Sequence, residues 1–316
     1  MQPVETMTAE TVHKRVLKLM GNRFEISVVA DDRIRANELI DLAVAEINRI
    51  EHLLTTFSDD SQTNQVNANA GVAPVKVDRE VFDLIARSLK ISELTQGAFD
   101  ITYGSIDKSL WNFDLNMKSL PDAETAQASV RLINYKNVVL DSENTTVFLK
   151  EAGMRIGFGG IGKGYAADKA KVILQHNGVK SGIVNAAGDL ITWGTRPNGK
   201  PWTIAIADPD QENTPLSTLN ISNMAVATSG NYAKYVIIGG KKYSHTIDPK
   251  TGLPVSGIKS VSIVSPSAEF ADAMATPVTV MGAYVGLNLI NQLQNVACVI
   301  VTDDSKIYTS KNINIK

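Results

Sequence analysis

Seven strand-like runs follow one another between Ser181 and Ser265, and no helical repeat separates them: "SGIVNA", "DLITWG", "WTIAIA", "MAVATSG", "KYVIIGG", "KKYSHTI" and "KSVSIVS". This block restricts the fold more than any other feature. A doubly wound sheet alternates strand and helix along the chain, whereas strands in blocks with helices grouped elsewhere argue for an α+β fold.

The helices read from the sequence fall outside the block. "IRANELIDLAVAEINRIEHLL" repeats apolar residues at Leu39, Leu42, Ala43, Ile47, Ile50 and Leu54, the spacing of an amphipathic helix, with Asp31 and Asp32 before it as caps. A second helix is expected after Asp78, through Val81, Leu84, Ile85, Ser88 and Leu89. A short one is expected near Pro121 to Leu132, and a helical pair from about Glu269 to Leu293. "RFEISVVA" alternates as a half-buried strand, "NVVL" and "TVFLK" precede the glycine-rich segment, and "ACVIV" and "KIYTS" close the chain. The polar run "TTFSDDSQTNQVNANAG" reads as a surface loop. No repeat or linker divides the 316 residues, so one large domain is expected.

Charge and cysteine content narrow the function classes. With 31 basic and 33 acidic residues the net charge is −2, so no overall field draws the chain to nucleic acid or an anionic membrane. No uninterrupted apolar run reaches the length of a membrane span, and the N-terminal residues lack the apolar stretch of a signal peptide. The single cysteine, Cys298, excludes an internal disulfide and a cysteine-based zinc site. Function must therefore be read from local constellations.

"GFGGIGKG" places five glycines in eight residues, Gly157 to Gly164, before a predicted helix. Such a segment is either a tight turn or a phosphate cradle, with helix N–H groups and Lys163 facing the anion. It matches neither the dinucleotide fingerprint nor the P-loop. "ADAMATPVTVMG" sets Asp272 and Thr276 four residues apart, on one face of a helix, where two hard oxygens suit Mg²⁺. The same residues also read as a helix cap and a threonine bonded back into its own helix. Pro277 is either inside that helix, leaving the Ala273 carbonyl without a donor, or its first residue, with Thr276 as cap. His245, in "GKKYSHTIDPKTGLPV", is by itself a strand histidine or a catalyst.

Taken together, Met20-Gly21, "TTFSDDSQTNQVN", "GAFD", "GGIGKGYAAD", "NAAGD", "ATSGNY", "YSHTIDPKTGLPV" and "ADAMAT" resemble, in order and spacing, the ApbE-type FAD:protein FMN transferases. The resemblance implies a T-fold-like α+β domain over residues 20–316, with 1–19 as an N-terminal extension. It implies cleavage of FAD at its pyrophosphate, attachment of FMN by a phosphoester to a Thr or Ser of a target flavoprotein subunit, and release of AMP. Mg²⁺ would be held by the Gly160 carbonyl and the Asp272 and Thr276 side chains. FAD would be contacted by Met20, Phe57, Ala98, Phe99, Asp100, Lys163, His245 and Thr246. His245 and Asp272 would carry the catalysis, His245 as base for the incoming hydroxyl. The implied place of action is the cell envelope, on the periplasmic side of the inner membrane. Phe57 stands where the family often has Tyr, and Gly157 where many members have Asp, which removes a carboxylate from the FAD site. Two other outcomes share the residues: a Mg²⁺-dependent hydrolase giving FMN and AMP, and an FAD-binding protein without turnover.

Overall fold

In the computed structural model, which describes residues 10–110, 119–211, 214–230 and 235–313, the strand blocks join in antiparallel pairs. The first half of the chain holds β1 (Thr11–Leu19), β2 (Asn22–Ala30), α1 (Arg33–Leu54), α2 (Gln62–Ala68), β3 (Val75–Lys76), α3 (Arg79–Leu94), α4 (Ala123–Ser129), β4 (Val138–Asp141) and β5 (Thr146–Leu149). Then come α5 (Gly162–His176), β6 (Gly182–Ala186), β7 (Asp189–Trp193), β8 (Trp202–Ala207), β9 (Pro215–Ile221) and β10 (Ala225–Gly230). Last are β11 (Tyr235–Ile238), β12 (Lys241–Ser244), β13 (Ile258–Ser265), α6 (Ala268–Ile290), β14 (Ala297–Thr302) and β15 (Ile307–Thr309).

Eight strands form one sheet in the order β1-β2-β6-β7-β10-β13-β14-β15. Helices α1, α5 and α6 pack on one face, with Phe24, Ile26, Ile47, Ala170, Ile191, Ile263 and Met274 in a common core. The β8–β9 hairpin contributes Trp202 and Ile204 to a smaller apolar cluster with Leu190, Val226 and Val264. Because strand side chains alternate between faces, β7 serves both layers, and all five of its residues are buried.

Helix α1 begins where the sequence places it: the Asp32 carboxylate accepts the Ile34 and Arg35 N–H groups. The polar run after α1 is not all loop. Ser61 accepts the Asn64 N–H and starts α2, whose inward side is Thr63, Val66 and Asn67, too polar to show an apolar repeat. Residues 11–19, within the stretch read as an N-terminal extension, form the sheet's edge strand, paired with β2 over nine positions from Thr11↔Ala30 to Leu19↔Asn22. Backbone pairing, rather than a strongly apolar face, secures this strand, and Val12 and Val16 stay exposed.

The helical pair expected near the C-terminus is present: Ala268–Ile290, taken together as α6, is two helices joined across a kink at Gly282 (φ 81°, ψ 168°). Long and apolar enough by composition to cross a membrane, with a mean hydropathy of 1.4 in its most apolar window, α6 packs here against α5, β10 and β13. Asp272 and the threonines interrupt its apolar character, so no uninterrupted run appears in the sequence.

Candidate active site

The site grows from the contact between α5 and α6. A Cβ on Gly164 would lie 2.1 Å from the Ala268 carbonyl oxygen, so glycine is what lets the two helices meet here. One turn further along α5, Asp168 accepts hydrogen bonds from Ala268 N (3.0 Å), Glu269 N (3.0 Å) and Ser267 Oγ (2.8 Å). It thereby satisfies orphan donors at the start of α6 and favours its positive end. Fixed in this way, α6 presents Asp272 to the first turn of α5. Asp272 Oδ2 accepts the Gly164 N–H at 3.0 Å, and Asp272 Oδ1 lies 3.2 Å from Lys163 Nζ. The glycine segment is thus partly a packing device, and a protein carboxylate occupies one of the N–H groups expected for a phosphate.

Lys163 has a second partner that sequence reading did not find. Asp189 Oδ2 lies 2.8 Å from its Nζ, while the Thr228 N–H reaches Asp189 Oδ1 at 3.3 Å. Asp189 and Asp272 are 4% and 6% exposed, so both carboxylates draw on one ammonium in a region short of water. Burial opposes the Lys163 charge, but Asp272 and Asp189 outweigh it and hold the ammonium above the usual lysine range. Burial, then repulsion from Asp272, push the Asp189 carboxyl up to about 7 against the pull of Lys163.

Among the described residues no group of three or more His, Cys, Asp or Glu is arranged to hold a metal. A cation here would have to combine a single carboxylate, Asp272, with neutral oxygens and phosphate, as Mg²⁺ does. The local chemistry fits that. Pro277 lies inside α6 and has no N–H, which leaves the Ala273 carbonyl without its helical donor. Thr279 Oγ1 donates to the Ala275 carbonyl (3.1 Å), but Thr276 Oγ1 makes no such bond among the described residues. Nor does any donor among them meet the Gly160 carbonyl: the Gly164 N–H that could reach it goes to Asp272 instead. Gly160 and Thr276 both face the cleft described next, with Asp272 buried behind them.

That cleft, about 950 Å³, is lined by Met20, Phe57, Ala98, Phe99, Asp100, Lys163, His245 and Thr246, with Gly160 and Thr276. Its volume is at the upper end of the range for small-molecule sites. Met20 sits in the β1–β2 turn with φ 50°, its N–H held by Glu51 Oε2 at 2.8 Å. Phe57 is 99% exposed, whereas Ala98 and Phe99 are buried in the wall. The Asp100 carboxylate is engaged within the protein, accepting from Thr102 N, Thr102 Oγ1 and Tyr135 N at 2.8, 2.6 and 2.9 Å. Burial raises its pKa against those bonds, and its part in the site is to shape the wall. Gly157 also lines the cleft, and a Cβ there would meet nothing closer than Thr56 Cγ2 at 3.9 Å.

His245 is exposed and follows β12 directly. Its neighbours are fixed by backbone bonds: Ser244 N to Val255 O (3.0 Å), Val255 N to Thr246 O (2.9 Å) and Asp248 N to Leu253 O (2.9 Å). Gly252 closes this hairpin with φ 70°, and a Cβ there would meet the Ala126 carbonyl oxygen at 2.0 Å. The "DPKTG" turn therefore docks on α4 and steadies the segment that carries His245. Of "ATSGNY", Ser229 reaches the cleft, and Asn231 and Tyr232 lie outside the described residues.

The ApbE family model matches residues 20–300. A Klebsiella pneumoniae protein named FAD:protein FMN transferase is 30% identical over 306 residues, covering 96% of this chain and 93% of that protein. The crystal structure of an ApbE protein from Thermotoga maritima superposes with a TM-score of 0.85 at 29% identity, covering 96% of this chain and 98% of that one. Apo flavinyl transferase ApbE of Pseudomonas stutzeri superposes with a TM-score of 0.83 at 26% identity, covering 96% and 95%. A family match over residues 20–300, which include both site helices and the His245 hairpin, leaves one conclusion: this chain belongs to the ApbE family.

Proposed function

We propose that the protein is a Mg²⁺-dependent FAD:protein FMN transferase, which moves FMN from FAD to a Thr or Ser hydroxyl of a flavoprotein subunit and releases AMP. The observation that carries this reading is the half-buried Lys163, held between the buried Asp189 and Asp272 and opening onto a cleft that His245 also lines. A pyrophosphate under attack needs cationic charge at its non-bridging and leaving oxygens, and a hydroxyl nucleophile needs a base.

Gly160, Asp272 and Thr276 would hold Mg²⁺, which when bound would neutralise phosphate charge. Lys163 would meet the remaining charge as a point cation. Exposed Phe57 and buried Phe99 offer ring faces to the flavin or adenine. His245 would take the proton of the acceptor hydroxyl as its oxygen bonds to the FMN phosphorus and the bond from that phosphorus to the bridging oxygen breaks. The exposure of His245 suits a base that must meet a second protein. His245→Ala should keep FAD binding and lose transfer by roughly two to four orders of magnitude. Near-normal transfer by His245→Gln would remove His245 as the base.

The test is incubation with FAD, Mg²⁺ and a candidate acceptor subunit, followed by the intact mass of that subunit. A gain equal to FMN phosphoester, with AMP in solution, is expected. FMN and AMP without a mass gain would make the protein a hydrolase, and intact FAD after prolonged incubation would make it a binding protein.

A further inference from the structure

Asp189 is placed with care by its own hairpin. Strands β6 and β7 are joined by Ala187 and Gly188, both with positive φ (55° and 103°), and the Gly188 N–H is held by Asn185 Oδ1 at 2.8 Å. Two central residues with positive φ match the right-handed twist of the strands and fix the register, here Ala186↔Asp189. A slip of one residue would turn Asp189 to the other face of the sheet. The hairpin instead delivers it to Lys163 Nζ at 2.8 Å, closer than Asp272 at 3.2 Å.

Charge balance does not require Asp189, because Asp272 alone would neutralise Lys163. Burying a second carboxylate there is costly, so the arrangement needs another reason. The two partners come from different elements, Asp272 from α6 and Asp189 from β7. If a cation draws the Asp272 oxygens away, Asp189 is the remaining anion in contact with the ammonium.

We propose, building on the transferase reading, that Asp189 is a positioning residue: it tethers Lys163 from the sheet side and keeps its ammonium fixed toward the cleft when Asp272 serves the metal. Asp189 touches no substrate in this account and acts only through Lys163.

The experiment is a double-mutant cycle on flavin transfer with Asp189→Asn, Lys163→Met and the pair, with thermal unfolding of each. Asp189→Asn should lower kcat by about ten- to a hundredfold, the range for a hydrogen bond to a charged group, with a smaller effect on KM for FAD. In the Lys163→Met background the same change should matter by less than about twofold, because the group it positions is gone. Losses that multiply, or an Asp189→Asn enzyme with wild-type kcat, would overturn the proposal. If Asp189→Asn does not fold, Asp189→Ser takes its place in the cycle. A second arm needs no turnover: acetic anhydride labelling of Lys163 read by peptide mass. Labelling should quicken several-fold in Asp189→Asn and stay close to wild type in Asp272→Ala; the reverse order would sink the tether. If wild type transfers no flavin, the transferase reading fails, while the labelling arm still decides whether Asp189 holds Lys163.

Discussion

Helix α5 takes part in two clusters of charge that are built in opposite ways. At its start, two buried carboxylates, Asp189 and Asp272, share the single ammonium of Lys163. Further along, Tyr165 and Lys169 join Arg49 around a single carboxylate, Glu80. Arg49 reaches it at 2.8 Å, Lys169 at 3.4 Å, and the Tyr165 hydroxyl donates to it. Burial pushes the Glu80 carboxyl up, but the bonds from Arg49 and Tyr165 outweigh it and hold it at about 2. In the first cluster donors are scarce and Asp189 is pushed up to about 7; in the second they are in excess. A carboxylate with surplus donors ties α1, α3 and α5 together. Carboxylates short of donors keep lone pairs for a cation. On the proposed function the first cluster serves chemistry and the second stability, a distinction that can be tested residue by residue.

The largest effect should come from the donor-poor cluster. Asp272→Ala should lower transfer by about three orders of magnitude or more, since it removes the one carboxylate of the proposed metal site. A chelator should do the same to wild type, and excess Mg²⁺ should restore wild type only. Stability should change little, by about 1 kcal/mol, because the lost bond to Gly164 N is offset by relief of repulsion at Asp189. Transfer by purified Asp272→Ala at more than a tenth of the wild-type rate would break the comparison at its functional end. Thr276→Val should cost less, as a neutral oxygen contributes coordination without charge.

How far each cluster could be read from the sequence follows from how local its determinants are. Strand blocks, the cap at Asp32, the helix after Asp78, and the spacing of Asp272 and Thr276 are short-range patterns, and they were legible. Pro277 was not, because a proline either opens a helix or interrupts one. The start of α6 at Ala268, whose N–H is held by Asp168 from 100 residues away in sequence, decides it. Asp189 read only as the first residue of the strand-like run "DLITWG", for its partner Lys163 lies on a different element and no periodicity links them. The "NAAGD" turn was the available signal: a carboxylate straight after a register-fixing turn is aimed at one face. Glu80 was hidden for the same reason: it lies in the first turn of α3, while its partners come from α1 and α5.

The donor-rich cluster should fail differently. Glu80→Gln should leave transfer within about twofold of wild type and cost about 1 kcal/mol of stability, a figure reduced for solvent screening at this half-exposed site. Its pH dependence has a definite sign. Glu80 is held below its ordinary value of 4.5, so its contribution is present above that pH and is lost as pH falls toward about 2. Denaturant midpoints of wild type and Glu80→Gln should therefore differ at neutral pH and converge through that acid window. A constant difference across the window would mean that packing, not ionisation, is the source of the loss.

The smallest effect is the most discriminating, because Tyr165 is only two residues from Lys163 on the same helix. Tyr165→Phe removes the hydroxyl that donates to Glu80 and keeps the ring beneath Arg87 and Lys169, whose charged atoms lie 5.7 and 5.4 Å from its centre. Arg49 and Lys169 still face the carboxylate, so the change should cost only about 0.5–1 kcal/mol. With one donor fewer, the Glu80 carboxyl should rise from about 2, and the acid loss of stability should begin at a higher pH than in wild type. Transfer kinetics should be unaltered, since Lys163 faces Asp189 and Asp272 rather than Glu80. If Tyr165→Phe instead lowered kcat more than a few-fold with stability unchanged, the two clusters would be one coupled unit. The division between a latch and a site on α5 would then have to be given up.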